Sequence, residues 1–212
     1  MTKAYTDLFY FPNIQNIASF YHHDIIYLEV NDNYQKRTWR NKTQLAGPDG
    51  PVVLSVPLLK GKHQGQRMKD VRIDNAQAWQ RIHWRTLSTL YGKSPYFMHY
   101  AYLFEPIFHR EYTHLATLNM DAISILQSIL HWPATIQMTS HIADGSAESD
   151  INLRGTNPYP VTGKAAAGCP PYPQVFEDRQ GFIANCSILD LIFCCGPEAT
   201  LRMRDVNPEL CS

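Results

Sequence analysis

The start of the chain alternates strand and helix patterns, and this alternation restricts the folds open to it. A strand pattern over residues 4–10 is followed by a helix pattern over 13–22 and a second strand pattern over 24–30. The apolar side chains at helical spacing are Ile14, Ile17, Ala18 and Tyr21. The second strand is apolar on both faces, which is typical of a strand covered on both sides. The pattern predicts a βαβ unit with parallel strands.

The rest of the chain extends this unit into one α/β domain. Gly47-Pro48-Asp49-Gly50 is a strong turn signal between two strand patterns and predicts a hairpin. Residues 75–131 carry three helix patterns, and residues 187–195 form a further apolar helix. Residues 140–173 are rich in glycine and proline and predict a long irregular loop. We expect residues 1–212 to form a single domain, a mixed, mostly parallel sheet covered by helices.

Composition excludes several classes of function. The chain of 212 residues has 19 Lys+Arg and 19 Asp+Glu, so its formal net charge is zero, and we expect no nucleic-acid partner. The N-terminus lacks the apolar core of a signal peptide, and no segment approaches the roughly 20 apolar residues of a membrane helix. The five cysteines show no paired spacing. We expect a cytoplasmic protein with no membrane span and no disulfide framework.

A cationic segment at residues 34–42 is the first candidate for a binding site. It places four cations beside two aromatic residues and an asparagine. Arginine suits bidentate contact with phosphate or carboxylate, and an aromatic ring can stack on a base or a sugar face. The alternative is a solvated hairpin edge whose charges prevent aggregation. The ligand-binding residues that this segment predicts are Lys36, Arg37, Trp39, Arg40 and Asn41.

A second candidate lies where the first two strands end. Tyr10 and Pro12 follow the first strand and precede a helix, and open α/β sheets bind ligands at this edge. The N-terminus of that helix would favour an anion. Glu29 ends the second strand at the same edge and could orient a ligand or move a proton. The alternatives are aromatic packing for Tyr10 and a surface carboxylate for Glu29.

Two further titratable residues stand out, whereas the histidines as a group do not. His83 lies on the apolar face of a helix, where it is either a buried structural residue or a general acid or base. Asp190 lies within an apolar helix, so we expect it to pair with a cation, Arg40 or Arg37. The spacing of the nine histidines predicts no metal site, and no motif predicts a cofactor.

These motifs, in this order and spacing, resemble those of the WbqC-like family of bacterial proteins. The resemblance spans roughly residues 5–196. The matching features are Tyr10-Phe11-Pro12, Asp24 to Glu29, Tyr34-Gln35-Lys36, Trp39, Asn41, Lys42, Leu54-Ser55-Val56-Pro57, Ile73-Asp74, Trp79, His83, Ser94-Pro95-Tyr96-Phe97, Tyr172-Pro173-Gln174, Phe182 and Ser187-Ile188-Leu189-Asp190.

The resemblance implies a role in surface-polysaccharide (O-antigen) biosynthesis, through transfer of a glycine-like aminoacyl or similar small group to a sugar. The expected partner is a nucleotide sugar or another anionic small molecule, and self-association into a homo-oligomer is left open. In this reading Glu29 and His83 are the catalytic residues. The alternative is a non-catalytic sugar-nucleotide-binding module, or a scaffold, that serves a separate transferase.

Overall fold

The computed structural model describes residues 1–59, 65–140, 150–155 and 169–206. The strands are β1 (Lys3–Asp7), β2 (Ile25–Glu29), β3 (Lys42–Gly47), β4 (Gly50–Ser55), β5 (Thr135–Met138) and β6 (Asp150–Asn152). The helices are α1 (Ile14–Tyr21), α2 (Trp79–Tyr91), α3 (Phe97–His109), α4 (Leu115–Ile129), α5 (Glu177–Gln180), α6 (Ile188–Cys195) and α7 (Glu198–Asp205). A 3₁₀ turn covers Met68–Asp70.

The main sheet has the strand order β5-β2-β1-β6, and every pairing in it is parallel. Strands β1 and β2 pair directly, and helix α1 connects them in the chain, as the strand–helix–strand pattern predicts. Tyr5 and Tyr27 are register partners, and their rings stack with centroids 4.8 Å apart. Because the strands run in parallel, their carboxyl ends share one edge of the sheet. The predicted α/β fold class is confirmed.

The antiparallel pair β3–β4 forms a separate hairpin, as the turn signal predicts. Strand β6 is a finding that the sequence pattern did not predict. It lies within the segment read as an irregular loop and adds a short edge strand beside β1. The parts of that loop at 141–149 and 156–168 lie outside the described residues.

The predicted helical block at residues 75–131 consists of α2, α3 and α4. Helix α2 begins at Trp79 with Ala78 before it, so neither Asp74 nor Asn75 caps this helix. Asn75 instead accepts a hydrogen bond from the indole of Trp79 and donates to the carbonyl of Tyr112. Pro106 lies inside α3, which continues past it.

Aromatic packing joins the helices to the loop that follows β1. Phe193 of α6 lies 5.0 Å from Phe97 and 5.6 Å from Phe104, measured between ring centroids. Phe11 lies in the loop after β1 and contacts Phe104 at 5.9 Å. The loop is therefore anchored in the core by its aromatic side chain. No helix in the described part of the chain is long and apolar enough to cross a bilayer.

Candidate anion-binding site

Two carboxylates end the two central strands side by side. Asp7 is the last residue of β1, Glu29 is the last residue of β2, and the two are register partners. Both side chains are buried. Burial of a carboxylate is costly unless it is paired and hydrogen-bonded, so the partners of these two residues define the chemistry of the edge.

Arg40 is the partner of Asp7. Its Nη2 donates to Asp7 Oδ1 at 2.6 Å, with both side chains almost fully buried. The other oxygen of Asp7 accepts the backbone N–H of Gly155 at 3.0 Å. In the part of the chain that the structure describes, Arg40 Nε and Nη1 have no hydrogen-bond acceptor. A buried guanidinium that keeps most of its donors unused is suited to binding an anion.

Glu29 is held by a separate set of donors. Its Oε1 accepts the backbone N–H of Asn31 at 2.7 Å and the hydroxyl of Thr139 at 2.9 Å. Its Oε2 faces Arg154 Nη1 at 3.4 Å. Lys69 Nζ donates to the side-chain oxygen of Asn31 at 2.8 Å. This edge of the sheet thus brings two arginines and a lysine close to two carboxylates.

Asn119 of α4 fixes the loop after β1 against the turn that carries Arg40. Its amide nitrogen donates to the carbonyl of Arg40 at 2.8 Å and to that of Leu8 at 3.3 Å. The backbone N–H of Tyr10 donates to the carbonyl of Trp39 at 3.2 Å in the same region. The side-chain oxygen of Asn119 has no partner among the described residues.

The predicted cationic segment divides into an exposed part and a buried part. Lys36 and Arg37 are exposed, whereas Trp39 and Arg40 are buried. Asn41 accepts from the hydroxyl of Tyr34 at 3.0 Å and donates to the carbonyl of Val56 at 2.9 Å, which ties the segment to the hairpin. Burial raises the pKa of Tyr34 to about 12, and the charge of Arg40 acts in the opposite direction.

The expectation that the N-terminus of α1 offers backbone donors to an anion is wrong. The N–H groups of residues 14–17 are all bonded within the protein, to the Cys186 carbonyl, to Asn185 Oδ1, and to the side chain and carbonyl of Asn13. Pro12 is buried, and its carbonyl accepts from Ile188 N at 2.9 Å. Anion binding at this edge therefore depends on side chains.

The expectation that Asp190 pairs with Arg40 or Arg37 is also wrong. Asp190 accepts from the hydroxyls of Tyr91 and Tyr172 at 2.7 and 2.5 Å, and from Gln174 Nε2 at 2.7 Å. Neutral donors replace the expected cation, since Arg40 is engaged by Asp7. Burial raises the pKa of Asp190, and these three donors act in the opposite direction.

His83 and Tyr10 form a buried pair. The Tyr10 hydroxyl lies 2.9 Å from His83 Nδ1. The ring also has a backbone hydrogen bond with Ser55. Ser55, Trp79 and His83 border a pocket of about 190 Å³. The tautomer of His83 decides which of the two groups donates in the bond to Tyr10. Burial lowers the pKa of His83 to about 4, against the effect of the Ser55 bond, so the ring is neutral at pH 7.

A comparison with known proteins agrees with the motifs quoted above. The model of the WbqC-like protein family matches residues 9–156, which contain the loop after β1, Glu29, the cationic segment and His83. The chain belongs to the WbqC-like family. A relative from Mycobacterium tuberculosis (strain ATCC 25618 / H37Rv), "Uncharacterized protein Rv1507c", is 28% identical over 217 residues, covering 89% of this chain and 90% of the relative. No solved structure matches the chain significantly.

Sequence reasoning missed several polar residues of the candidate site. Asp7 could have been found, because it ends its strand as Glu29 does and parallel register places the two together. Arg154 could not, because it follows a strand hidden in a glycine- and proline-rich segment. Within the described residues, no three His, Cys, Asp or Glu side chains are grouped to hold a metal ion.

The lowered pKa of His83 predicts acid sensitivity of the WbqC-like fold. Between about pH 6.5 and pH 4, His83 is protonated in the unfolded chain but neutral in the folded protein. The free energy of unfolding therefore falls as the pH drops through this window. The loss is on the order of 3 kcal/mol. We expect His83→Gln to remove this part of the pH dependence, measured by urea unfolding at intervals across the window. His109→Gln, at an exposed position, should keep the wild-type slope.

Proposed function

We propose that this chain is a transferase of surface-polysaccharide biosynthesis that binds an anionic small molecule, a nucleotide sugar or a close relative, at the carboxyl ends of β1 and β2. The observation that carries the proposal is the buried guanidinium of Arg40, whose Nε and Nη1 face no acceptor among the described residues. The family resemblance supplies the reaction class, transfer of an aminoacyl or similar small group to the sugar.

The surroundings of Arg40 support binding of an anion rather than a simple structural ion pair. Asp7 occupies only Nη2, so the guanidinium keeps donors for a phosphate, which reaches them only when the segments that cover Arg40 move apart. Arg37 and Lys36 precede it on an exposed loop and can add charge at the rim. Trp39 and Asn41 flank Arg40 in the chain and fix its backbone, while Tyr10 and Pro12 form the facing loop. Of the seven predicted ligand-binding residues, Lys36 and Arg37 thus lie at the surface and the other five are buried.

In the proposed reaction, a sugar hydroxyl or amine attacks the carbonyl carbon of an activated acyl donor, an ester, a mixed anhydride or a thioester. A new C–O or C–N bond forms, and the bond from that carbon to the leaving oxygen or sulfur breaks. The nucleophile's proton passes to Glu29, which stands at the strand end beside Asp7. His83 positions the Tyr10 hydroxyl and completes the predicted catalytic set.

A non-catalytic binding module that serves a separate transferase is the second candidate, and one observation favours it. The groups that could move a proton are already engaged, Glu29 by Arg154 and Thr139, and His83 by Tyr10 and Ser55. A module of this kind would bind the anion through Arg40 as described but would form no product.

Ligand binding is tested by thermal shift with UDP-glucose, UDP-N-acetylglucosamine, GDP-mannose, dTDP-glucose and the matching nucleoside diphosphates. A ligand at about 100 times its dissociation constant stabilises the fold by about 2.7 kcal/mol. We expect Arg40→Lys to keep the ion pair with Asp7 but to weaken the best ligand by about tenfold or more, since lysine lacks the planar donor set.

The control for charge is Arg81→Lys, an exposed arginine on α2, which should leave the affinity unchanged. Arg37→Ala measures how much the exposed charge near Arg40 contributes to the affinity. Equal affinity of wild type and Arg40→Lys would contradict the proposal. Mass-spectrometric detection of acylated sugar, lost in Glu29→Gln with binding retained, would separate a transferase from a binding module.

A further inference from the structure

Unpartnered polar atoms concentrate around the loop that follows β1. Among the described residues, the buried side-chain atoms without a hydrogen-bond partner include both ends of the Asn16 amide and the Nδ2 of Asn13, in addition to the Arg40 and Asn119 atoms described above. Asn16 is 1% exposed and Asn13 is 3% exposed. Native proteins satisfy nearly all buried polar groups, so a local group of such atoms requires an explanation.

The two asparagines stand one helical turn apart at the start of α1. Asn13 uses its Oδ1 to accept the backbone N–H of Asn16, which leaves its Nδ2 as a donor. The side chain of Asn16 offers a donor NH₂ group and an acceptor oxygen together. The neighbouring amides of Gln15 and Asn185 are paired, because Asn185 Nδ2 donates to Gln15 Oε1 at 2.8 Å. The Nδ2 of Asn13 and the side-chain amide of Asn16 have no such partner among the described residues.

The same loop connects these amides to the anion-binding edge. It starts at Asp7, which pairs with Arg40, and ends at Asn13. Asn119 bonds to the carbonyls of both Leu8 and Arg40, so the loop and the arginine are held as one unit. Asn13 and Asn16 thus follow Asp7, the partner of Arg40, by six and nine residues in the chain.

We infer that Asn16 and Asn13 form a subsite for the neutral, hydroxyl- or amide-bearing part of the ligand whose anionic part is bound by Arg40. The inference rests on the proposed function, in which that neutral part is the sugar. Two donors and one acceptor, all uncharged, match the alternating donors and acceptors of a sugar ring or an acetamido group. Because Asn16 is buried, a ligand reaches it only after the surrounding segments move apart.

Stability of the unliganded protein gives the first test. Removal of a buried amide that has no partner relieves the cost of its desolvation, so it does not destabilise the fold. We expect Asn16→Ala to melt at or above the wild-type temperature. Asn119→Ala is the matched contrast, since that buried asparagine bonds to two carbonyls, and it should melt lower. A melting temperature of Asn16→Ala as low as that of Asn119→Ala would overturn the inference, because it would show internal use of the amide.

Affinity gives the second test, with each nucleotide sugar of the panel compared against its own nucleoside diphosphate. We expect Asn16→Ala to lower the affinity for the nucleotide sugar by about tenfold and to leave the affinity for the diphosphate unchanged. Asn13→Ser keeps a helix-capping oxygen, removes Nδ2 and should show a smaller loss of the same kind. Unchanged nucleotide-sugar affinity in Asn16→Ala would overturn the subsite while Arg40→Lys still tests the proposed function. Equal losses for sugar and diphosphate would also overturn it.

Discussion

Arg40→Met is expected to destabilise the protein by about 3–5 kcal/mol, because it leaves the carboxylate of Asp7 buried without its cation. The two side chains are 3% and 4% exposed and meet at 2.6 Å, so water cannot replace the lost guanidinium. Methionine fills a similar volume without charge, which limits any cavity contribution. Urea unfolding monitored by tryptophan fluorescence measures the free energy of unfolding.

The double variant Asp7→Asn with Arg40→Met isolates the cause. Asparagine removes the charge but keeps an oxygen for the Gly155 N–H, so most of the lost stability should return. Arg81→Met, at an exposed position on α2, should change stability by less than about 0.5 kcal/mol. A small loss in Arg40→Met, similar to that control, would mean that Asp7 is solvated in solution and that the edge of the sheet is open.

Asp190→Ala is expected to be as damaging, at about 3–5 kcal/mol, although no cation is involved. Asp190 is fully buried and accepts from two tyrosine hydroxyls and the amide of Gln174. These donors come from α2 and from the segment before α5, so the carboxylate connects α6 to both. Alanine leaves the hydroxyls of Tyr91 and Tyr172 buried without this acceptor, whereas Gln174 Nε2 keeps the Ile183 carbonyl. Differential scanning calorimetry should show a large drop in melting temperature.

Two further variants identify the mechanism of this loss. Asp190→Asn keeps one acceptor oxygen and should lose about half as much stability. Asp205→Ala removes an exposed carboxylate at the end of α7 and should be nearly neutral. Similar melting temperatures of Asp190→Ala and Asp205→Ala would contradict the assignment of a structural role to the Asp190 network.

The course of the backbone at the start of the chain could be predicted because local patterns determine it. Alternating strand and helix signals gave β1, α1 and β2, and Gly47-Pro48-Asp49-Gly50 gave the hairpin. Strand β6 could not be predicted in the same way. Its residues have no apolar periodicity, and they become a strand only because β1 offers an unpaired parallel edge.

The site could be predicted in part, and the errors share one cause. Arg40 and Glu29 were identified from charge and from position at a strand end. The partner of Arg40 was not, because Asp7 and Asp190 are both acids in apolar surroundings and only tertiary packing places Asp7 beside the guanidinium. The amides Asn13 and Asn16 look like ordinary helix-start residues in the sequence. They differ from such residues because side-chain atoms of both are buried without a hydrogen-bond partner among the described residues. A sequence pattern does not predict this.

The most direct test of the anion site is NMR of arginine side chains in protein made with isotope-labelled arginine. Arg40→Lys assigns the Nε signal of Arg40 by its disappearance. On titration with the nucleoside diphosphate that stabilises the fold most, that signal should move and its hydrogen exchange should slow, because Nε gains an acceptor. Backbone signals that move while the Arg40 Nε signal stays unchanged would show that the ligand binds elsewhere and would contradict the central claim.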